Sequence, residues 1–268
     1  MPVYFFALSQ APNVHLFNSV LVFFILHILV YPASNGFNSY MDRDTGPIGG
    51  IEKPLPATRQ LLVVATILDL LAIVLSLFIS LPFTIGLAAY ILASRAYSAR
   101  SIRIKKFPIA GYLLVLLCQG CLTWMLVYHG CSVEKSYNFP ALPVIAAGLL
   151  IGGFYPLTQV YQHEQDRKDG VTTISMLLGY RGTFLFTALV YSAAMLILFI
   201  HFQKTGQSMN FIILASIMVP VLVYFFTWAA RVWKDQAQAN FKHAMRMNLL
   251  ASVCTNLGFI IILIGRYL

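Results

Sequence analysis

Two polar segments in a largely apolar chain carry carboxylates and amides at helical spacing. The first, Asn35-Gly-Phe-Asn38-Ser-Tyr-Met-Asp42-Arg-Asp44-Thr-Gly46, follows an apolar run; Asn38 and Asp42 are four apart, with Asn35 three before Asn38. The second, Gln162-His-Glu164-Gln-Asp166-Arg-Lys-Asp169-Gly170, also follows an apolar run; Gln162 and Asp166 are four apart, and Asp169 lies three further on. Residues three or four apart share a helix face. The segments are about 125 residues apart and share one grammar of apolar helix, amide, carboxylate and glycine, as an internal repeat of one functional unit would. Mg²⁺ takes oxygen ligands from one or two carboxylates and keeps substrate phosphates as the rest. Two such clusters at one membrane depth fit a metal-bridged diphosphate, whose departing charge the metal would neutralise. The expected metal ligands are Asn38, Asp42, Asp166 and Asp169. Solvation explains a single acidic cluster near a membrane helix equally well; two matched clusters favour a site.

A third polar stretch lies between them, Ala96-Tyr97-Ser98-Ala-Arg100-Ser-Ile-Arg103-Ile-Lys105-Lys106-Phe-Pro108. A diphosphate needs cationic partners as well as metal, and Arg and Lys supply them. The same residues also suit a topology determinant in contact with anionic lipid. For Arg100 and Lys106 the two readings stand level.

The elements that must position these groups are membrane helices. Hydrophobic residues make up 59% of the 268 and charged residues 10%, against roughly 45–50% and about 25% in soluble domains. That excludes an ordinary cytosolic enzyme, a disordered chain and a disulfide-stapled secreted module. Apolar runs near the roughly 20 residues that cross a bilayer recur at 14–34, 60–80, 82–97, 109–129, 139–161, 181–201, 210–231 and 246–266, the 82–97 run being short. Pro2 to Ser9 forms an apolar stub that resembles the second half of a helix and has no basic n-region. The expectation is an all-α, polytopic transmembrane bundle of about nine helices, the first truncated, forming one domain over 1–268.

With the stub counted, the connections after helices two, four, six and eight share one side and hold 15 of the 18 basic residues. The positive-inside rule makes that side cytoplasmic and assigns the net charge of +9 to topology rather than nucleic acid. Seven of the nine acids share that face, Glu134 is opposite, and Asp69 sits inside an apolar run. Cys118 and Cys121 form a lone CxxC without a second pair or a His cluster, and the four cysteines read as packing residues.

These residues resemble the UbiA superfamily of intramembrane aromatic prenyltransferases over nearly the whole chain. Asn38 and Asp42 resemble its NDxxDxxxD motif, and Glu52-Lys53-Pro54-Leu55-Pro56 its R-P-L-P stretch. Tyr97-Ser98 with Arg103 and Lys105 resembles its YS…(K/R)xK element. Asp166 and Gly170 resemble DxxxDxxxG, and Thr172-Thr173 with Gly179 its threonine-to-LG ending. The resemblance implies that Mg²⁺ and the acidic motifs hold a polyprenyl diphosphate donor, that ionisation gives an allylic cation, and that a hydrophobic aromatic or lipid-like acceptor attacks it. It implies catalytic roles for Asn38, Asp42, Asp166, Tyr97, Arg103 and Lys105; substrate contacts are expected of Asn35, Lys53, Ser98, Gln162 and Asp69, and of His163, for which a solvated position stands level. The setting it implies is the cell (inner) membrane, with membrane lipid as neighbour and the acidic motifs cytoplasmic. Ser39, Gly46 and Gln162 stand where the family has Asp, each removing a negative ligand, and Asp44, Glu164 and Asp169 are candidates to compensate.

Single residues carry further expectations. Asp69 is an ionisable group inside a span, a candidate for an acceptor pocket or for an interhelical hydrogen bond. His27 suits a satisfied interhelical contact. Tyr155 and Tyr161 approach the second segment, where they would line a carbocation or serve as interfacial anchors. Residues 230–248 suit a helix connection lying along the interface. Two other classes remain open: a cation or small-solute transporter built on an internal repeat, and an isoprenoid-binding member with little transfer activity.

Overall fold

A computed structural model describes residues 2–43, 46–47 and 49–267, so the expected role of Asp44 falls outside it. The described residues form ten helices. They are α1 (Pro2–Gln10), α2 (Leu16–Asp42), α3 (Arg59–Ser76), α4 (Leu81–Ser98), α5 (Pro108–Cys131), α6 (Ala141–Gln159), α7 (His163–Lys168), α8 (Ile174–Lys204), α9 (Ser208–Lys234) and α10 (Phe241–Gly265). Among the described residues there is no strand, only one isolated bridge between Val14 and Ser132. Nine of the ten match the expected stub and eight runs; the tenth, α7, is the second acidic segment itself.

Seven helices, all but α1, α4 and α7, are long and apolar enough to cross a membrane. With 18 residues, α4 spans about 27 Å at 1.5 Å per residue. The outward face of α3 presents Val63, Val64, Ile67, Leu70 and Val74 as exposed side chains, a surface suited to lipid. The chain is a multi-pass membrane protein.

Local sequence explains where the helices start and bend. The Ser80 side chain caps α4 by accepting from Phe83 N, and Asn240 caps α10 by accepting from His243 N. In α2, Pro32 offers no N–H, and a π turn over Ile25–Val30 ends two residues before it. A second π turn, Leu116–Leu122, lies inside α5. It contains Gly120, where a Cβ would sit 2.5 Å from Gly148 Cα on α6. The two backbones touch there, as small residues permit between membrane helices. Gly179 interrupts α8 at φ +68°, a conformation that glycine adopts without a Cβ clash.

Aromatic and polar contacts tie α1 to α5 and to the far end of the chain. Phe6 of α1 stacks on Phe259 of α10 at 4.5 Å and meets Trp124 of α5 edge-on at 5.9 Å. Arg266 Nη1 donates to Ser9 O at 2.7 Å and to Ala11 O at 2.9 Å, capping the last carbonyls of α1. His27 is ringed by Tyr4, Phe23 and Tyr31, an interhelical aromatic setting.

Candidate active site

Beyond the π turn α2 runs on for just over three turns through the first acidic segment and ends at Asp42, where Arg43 takes a left-handed conformation. Asn38 and Asp42 thereby share a face turned toward the loop after α4. Ser98, the last residue of α4, donates to Asn38 Oδ1 at 2.6 Å. In the loop beyond, Arg103 has φ +51°, unusual for a residue with a Cβ, and a single 3₁₀ turn presents Lys105. Lys105 Nζ donates to Asn38 Oδ1 at 3.3 Å and forms an ion pair with Asp42 Oδ2. Both Asp42 and Lys105 are buried, where charges persist only when paired.

Arg103 joins the two segments. Its Nη2 lies 3.5 Å from Asp42 Oδ1 and 3.2 Å from Asp169 Oδ2, and its Nη1 donates to Asp169 O at 3.2 Å. A second junction lies beside it. Gln162 Nε2 donates to Pro47 O at 3.5 Å, and a Cβ on Gly46 would sit 2.7 Å from Gln165 Oε1. The glycine that replaces the last carboxylate of the first motif therefore lets its strand of chain press against α7.

The Tyr97 hydroxyl is hydrogen-bonded to that of Tyr155, at the end of α6. Tyr97 lies within electrostatic range of both Asp42 and Asp166, and Tyr155 within range of Asp166. The sequence-predicted group of Asn38, Asp42, Tyr97, Ser98, Arg103, Lys105, Gln162, Asp166 and Asp169 therefore converges from α2, α4, the following loop and α7.

Four expected substrate contacts lie elsewhere. Asn35 is exposed one turn before Asn38, and Lys53 is exposed in the connection to α3. His163 is turned away: its Nε2 is 2.8 Å from Ser175 Oγ, its ring stacks on Tyr180 at 4.6 Å, and burial pushes its pKa down to about 4. Asp69 is paired with Arg95, whose Nε donates to Asp69 Oδ2 at 2.9 Å and whose Nη2 donates to Ala65 O at 3.2 Å. The Arg95 guanidinium also sits 4.0 Å above the Phe37 ring. Asp69 thus has a cation beside it because an unpaired carboxylate in a span is costly. Sequence reasoning counted Arg95 only as a topology charge. Opposite charges inside two neighbouring spans were the available signal.

Among the described residues, no three His, Cys, Asp or Glu side chains form a group able to hold a metal ion by themselves. The donors present are hard oxygens, with two carboxylates drawn toward one arginine. That chemistry fits Mg²⁺ shared with a phosphate substrate, since this ion is seldom held in an all-protein cage.

The UbiA prenyltransferase family model matches residues 1–250. The chain belongs to the UbiA prenyltransferase family. The family is one of prenyltransferases. Over 160 residues it is 28% identical to the bacteriochlorophyll synthase 33 kDa chain of Cereibacter sphaeroides, an alignment covering 56% of this chain and 51% of the relative. The match thus spans about half the length of that curated relative. Among solved structures, the fold resembles an apo UbiA homolog from Aeropyrum pernix K1, with TM-score 0.71 and 16% identity over 97% of this chain and 95% of the other. It also resembles a UbiA homolog from Archaeoglobus fulgidus bound to DMAPP and Mg²⁺, with TM-score 0.67 and 16% identity over 97% and 93%. At these identities the likeness concerns the fold.

Proposed function

We propose that this UbiA family member transfers a prenyl group from a polyprenyl diphosphate to an aromatic or lipid-like acceptor within the membrane, with Mg²⁺ and release of diphosphate. The observation that carries this reading is Arg103, which spans Asp42 and Asp169 and so brings cations and both acidic segments to one point. The A. fulgidus relative binds DMAPP together with Mg²⁺, which supports the same donor chemistry here.

Arg103 and Lys105 take the diphosphate oxygens through charge-assisted hydrogen bonds. Ser98 holds Asn38 in register. Asn38, Asp42, Asp166 and Asp169 are the residues that would hold Mg²⁺, and the ion would supply positive charge to offset that of a departing diphosphate. Tyr97 and Tyr155 present π faces beside the breaking bond, where they stabilise cationic character and exclude water. A cavity of about 270 Å³ lined by Leu150, Phe154, Val221, Phe225 and Met247 offers apolar room for a hydrocarbon chain. The basic connections favour placing the acidic segments on the cytoplasmic side of the cell membrane. The losses of charge at Ser39, Gly46 and Gln162 favour a second reading, isoprenoid binding with little transfer.

The test is diphosphate release from membranes expressing the chain, given a panel of prenyl diphosphates with and without Mg²⁺. Release should require Mg²⁺ and vanish in both Asp42→Ala and Asp166→Ala at equal expression. Activity retained in both variants sinks the reading, and donor binding without product selects the second one.

A further inference from the structure

Helix α7 bears Asp166, is followed directly by Asp169, and is only six residues long. A helix of that length does not hold itself, since isolated helices below about 12–15 residues are marginal. Its place is set by what it is tied to. Arg103 and the contact of Gln162 with Pro47 hold one side. The other side hangs on His163, which is buried against α8.

From His163 a chain of short contacts runs into α8. His163 Nε2 lies 2.8 Å from Ser175 Oγ, and Ser175 Oγ lies 3.0 Å from Thr183 Oγ1. Thr183 Oγ1 donates to Gly179 O at 2.7 Å and shares that proton with Ser175 O at 3.2 Å. Ser175 and Thr183 are both fully buried. The Thr183 proton is taken by the backbone, so the Ser175 proton serves the link between the two hydroxyls. The first link is then satisfied by a proton on His163 Nε2, and the chain runs from His163 through Ser175 and Thr183 to Gly179. Its last acceptor is the carbonyl at the break in α8, where Gly179 has φ +68°. Ser175 is held from a second side. Its N–H donates to Gln159 Oε1 at 3.4 Å, and the Gln159 side chain reaches the Tyr155 hydroxyl. One serine therefore joins the tyrosine pair to the helix that carries the second acidic segment. Away from water, such a network rigidifies its surroundings when every member is paired and loosens as a unit when one is lost.

We propose that Ser175 and Thr183 are positioning residues, which act through His163 to fix Asp166 and Asp169 for a metal-bridged diphosphate. The proposal rests on the prenyl-transfer reading and names what supports its second acidic segment. The contacts of both hydroxyls end at His163 and the α8 backbone, so their effect on the carboxylates passes through α7. Carboxylates in such a site must be held within about 0.5 Å of the productive geometry. Outer partners that orient metal ligands contribute about 10–100-fold in metal affinity or activity.

The test reads binding apart from turnover. Mn²⁺ stands in for Mg²⁺, because both take carboxylate and water oxygens, and inorganic diphosphate is the anion. Binding to the full chain in lipid nanodiscs is followed by electron paramagnetic resonance, beside thermal unfolding. Thr183→Val keeps the side-chain shape and removes the hydroxyl, whereas Thr183→Ser keeps the hydroxyl. Thr183→Val and Ser175→Ala should each raise the Mn²⁺ Kd about tenfold to a hundredfold, and Thr183→Ser should bind close to wild type. In turnover the first two should need correspondingly more Mg²⁺ for half-maximal diphosphate release. An unchanged Kd in Thr183→Val and Ser175→Ala overturns the proposal, even where their melting temperatures fall, because a merely structural chain behaves that way. Equal weakening in Thr183→Val and Thr183→Ser overturns it too, by assigning the effect to packing, and so does a wild type that binds no Mn²⁺. A wild type that binds Mn²⁺ with diphosphate yet releases none from prenyl diphosphates fails the transfer reading, and the shifts in Kd still decide this one.

Discussion

Arg103 carries two jobs that substitution separates. Its fork reaches both Asp42 and Asp169, whereas a lysine offers one charge on a flexible stem. Arg103→Lys should therefore raise the donor KM about tenfold, and Arg103→Gln further, with little change in the melting temperature. Steady-state kinetics beside thermal unfolding will show it, and equal KM values in wild type and both variants would deny the bridging role. His163 gives a second prediction, about stability. It is buried against Ser175, with its pKa pushed down to about 4, whereas in the unfolded chain it titrates near 6.5. Between these values the unfolded state binds a proton that the folded state refuses. Stability contributed by neutral His163 is full above pH about 6.5 and is lost as pH falls toward 4, at most about 3 kcal/mol. His163→Gln should flatten the melting profile across that window. At this scale, spacing marked Asn38 and Asp42 as candidates, and the resemblance to a family motif marked Arg103 and Lys105, whose carboxylate partner Asp42 lies 61 and 63 positions away in sequence. His163 was misleading because its partner Ser175 lies across a turn that has no pattern to announce it, and Tyr155 met Tyr97 only once α4 and α6 were packed.

Helices α2, α3 and α4 are locked by Arg95, which pairs with Asp69, bonds Ala65 O and covers Phe37. Removing one charge strands the other in an apolar span, at a cost of about 3–5 kcal/mol. Asp69→Leu alone and Arg95→Met alone should each destabilise by that order, and the double variant by much less. A double-mutant cycle on thermal or denaturant unfolding measures the coupling, and simple additivity would show that the pair is not linked. The α5–α6 contact is tighter still. Gly120→Val places side-chain atoms inside the Gly148 backbone, and overpacking of this kind costs about 1–3 kcal/mol or more. Gly120→Val should therefore lower the yield of folded protein in the membrane, read by thermal unfolding beside Gly120→Ala. The number and order of helices were legible from apolar runs, since lipid leaves the backbone few alternatives. The π turns and the break at Gly179 were not, because they depend on which neighbouring helix accepts the displaced backbone. The two acidic segments also look equivalent in sequence and fold differently: one is the end of α2, the other the short helix α7.

For the whole molecule, the basic connections after α2, α4, α6–α7 and α9 should be accessible from the cytoplasm. Single cysteines introduced in a cysteine-free background at Lys106 and Lys234 should react with a membrane-impermeant maleimide only in inside-out vesicles, and one at Lys204 only in right-side-out vesicles. The reverse pattern would overturn the orientation. Composition and charge made the membrane class legible at once, whereas closure of the bundle was not. The last described arginine, Arg266, seals the carbonyls of Ser9 and Ala11, 257 and 255 positions earlier. During synthesis, α1 therefore leaves the ribosome long before the side chain that caps it exists. Its final carbonyls must be held by water, lipid headgroups or the translocon until α10 arrives, which makes the docking of α1 one of the last events in biogenesis. An Arg266→Ala chain should insert normally and then linger with α1 open to protease at its Gln10 end.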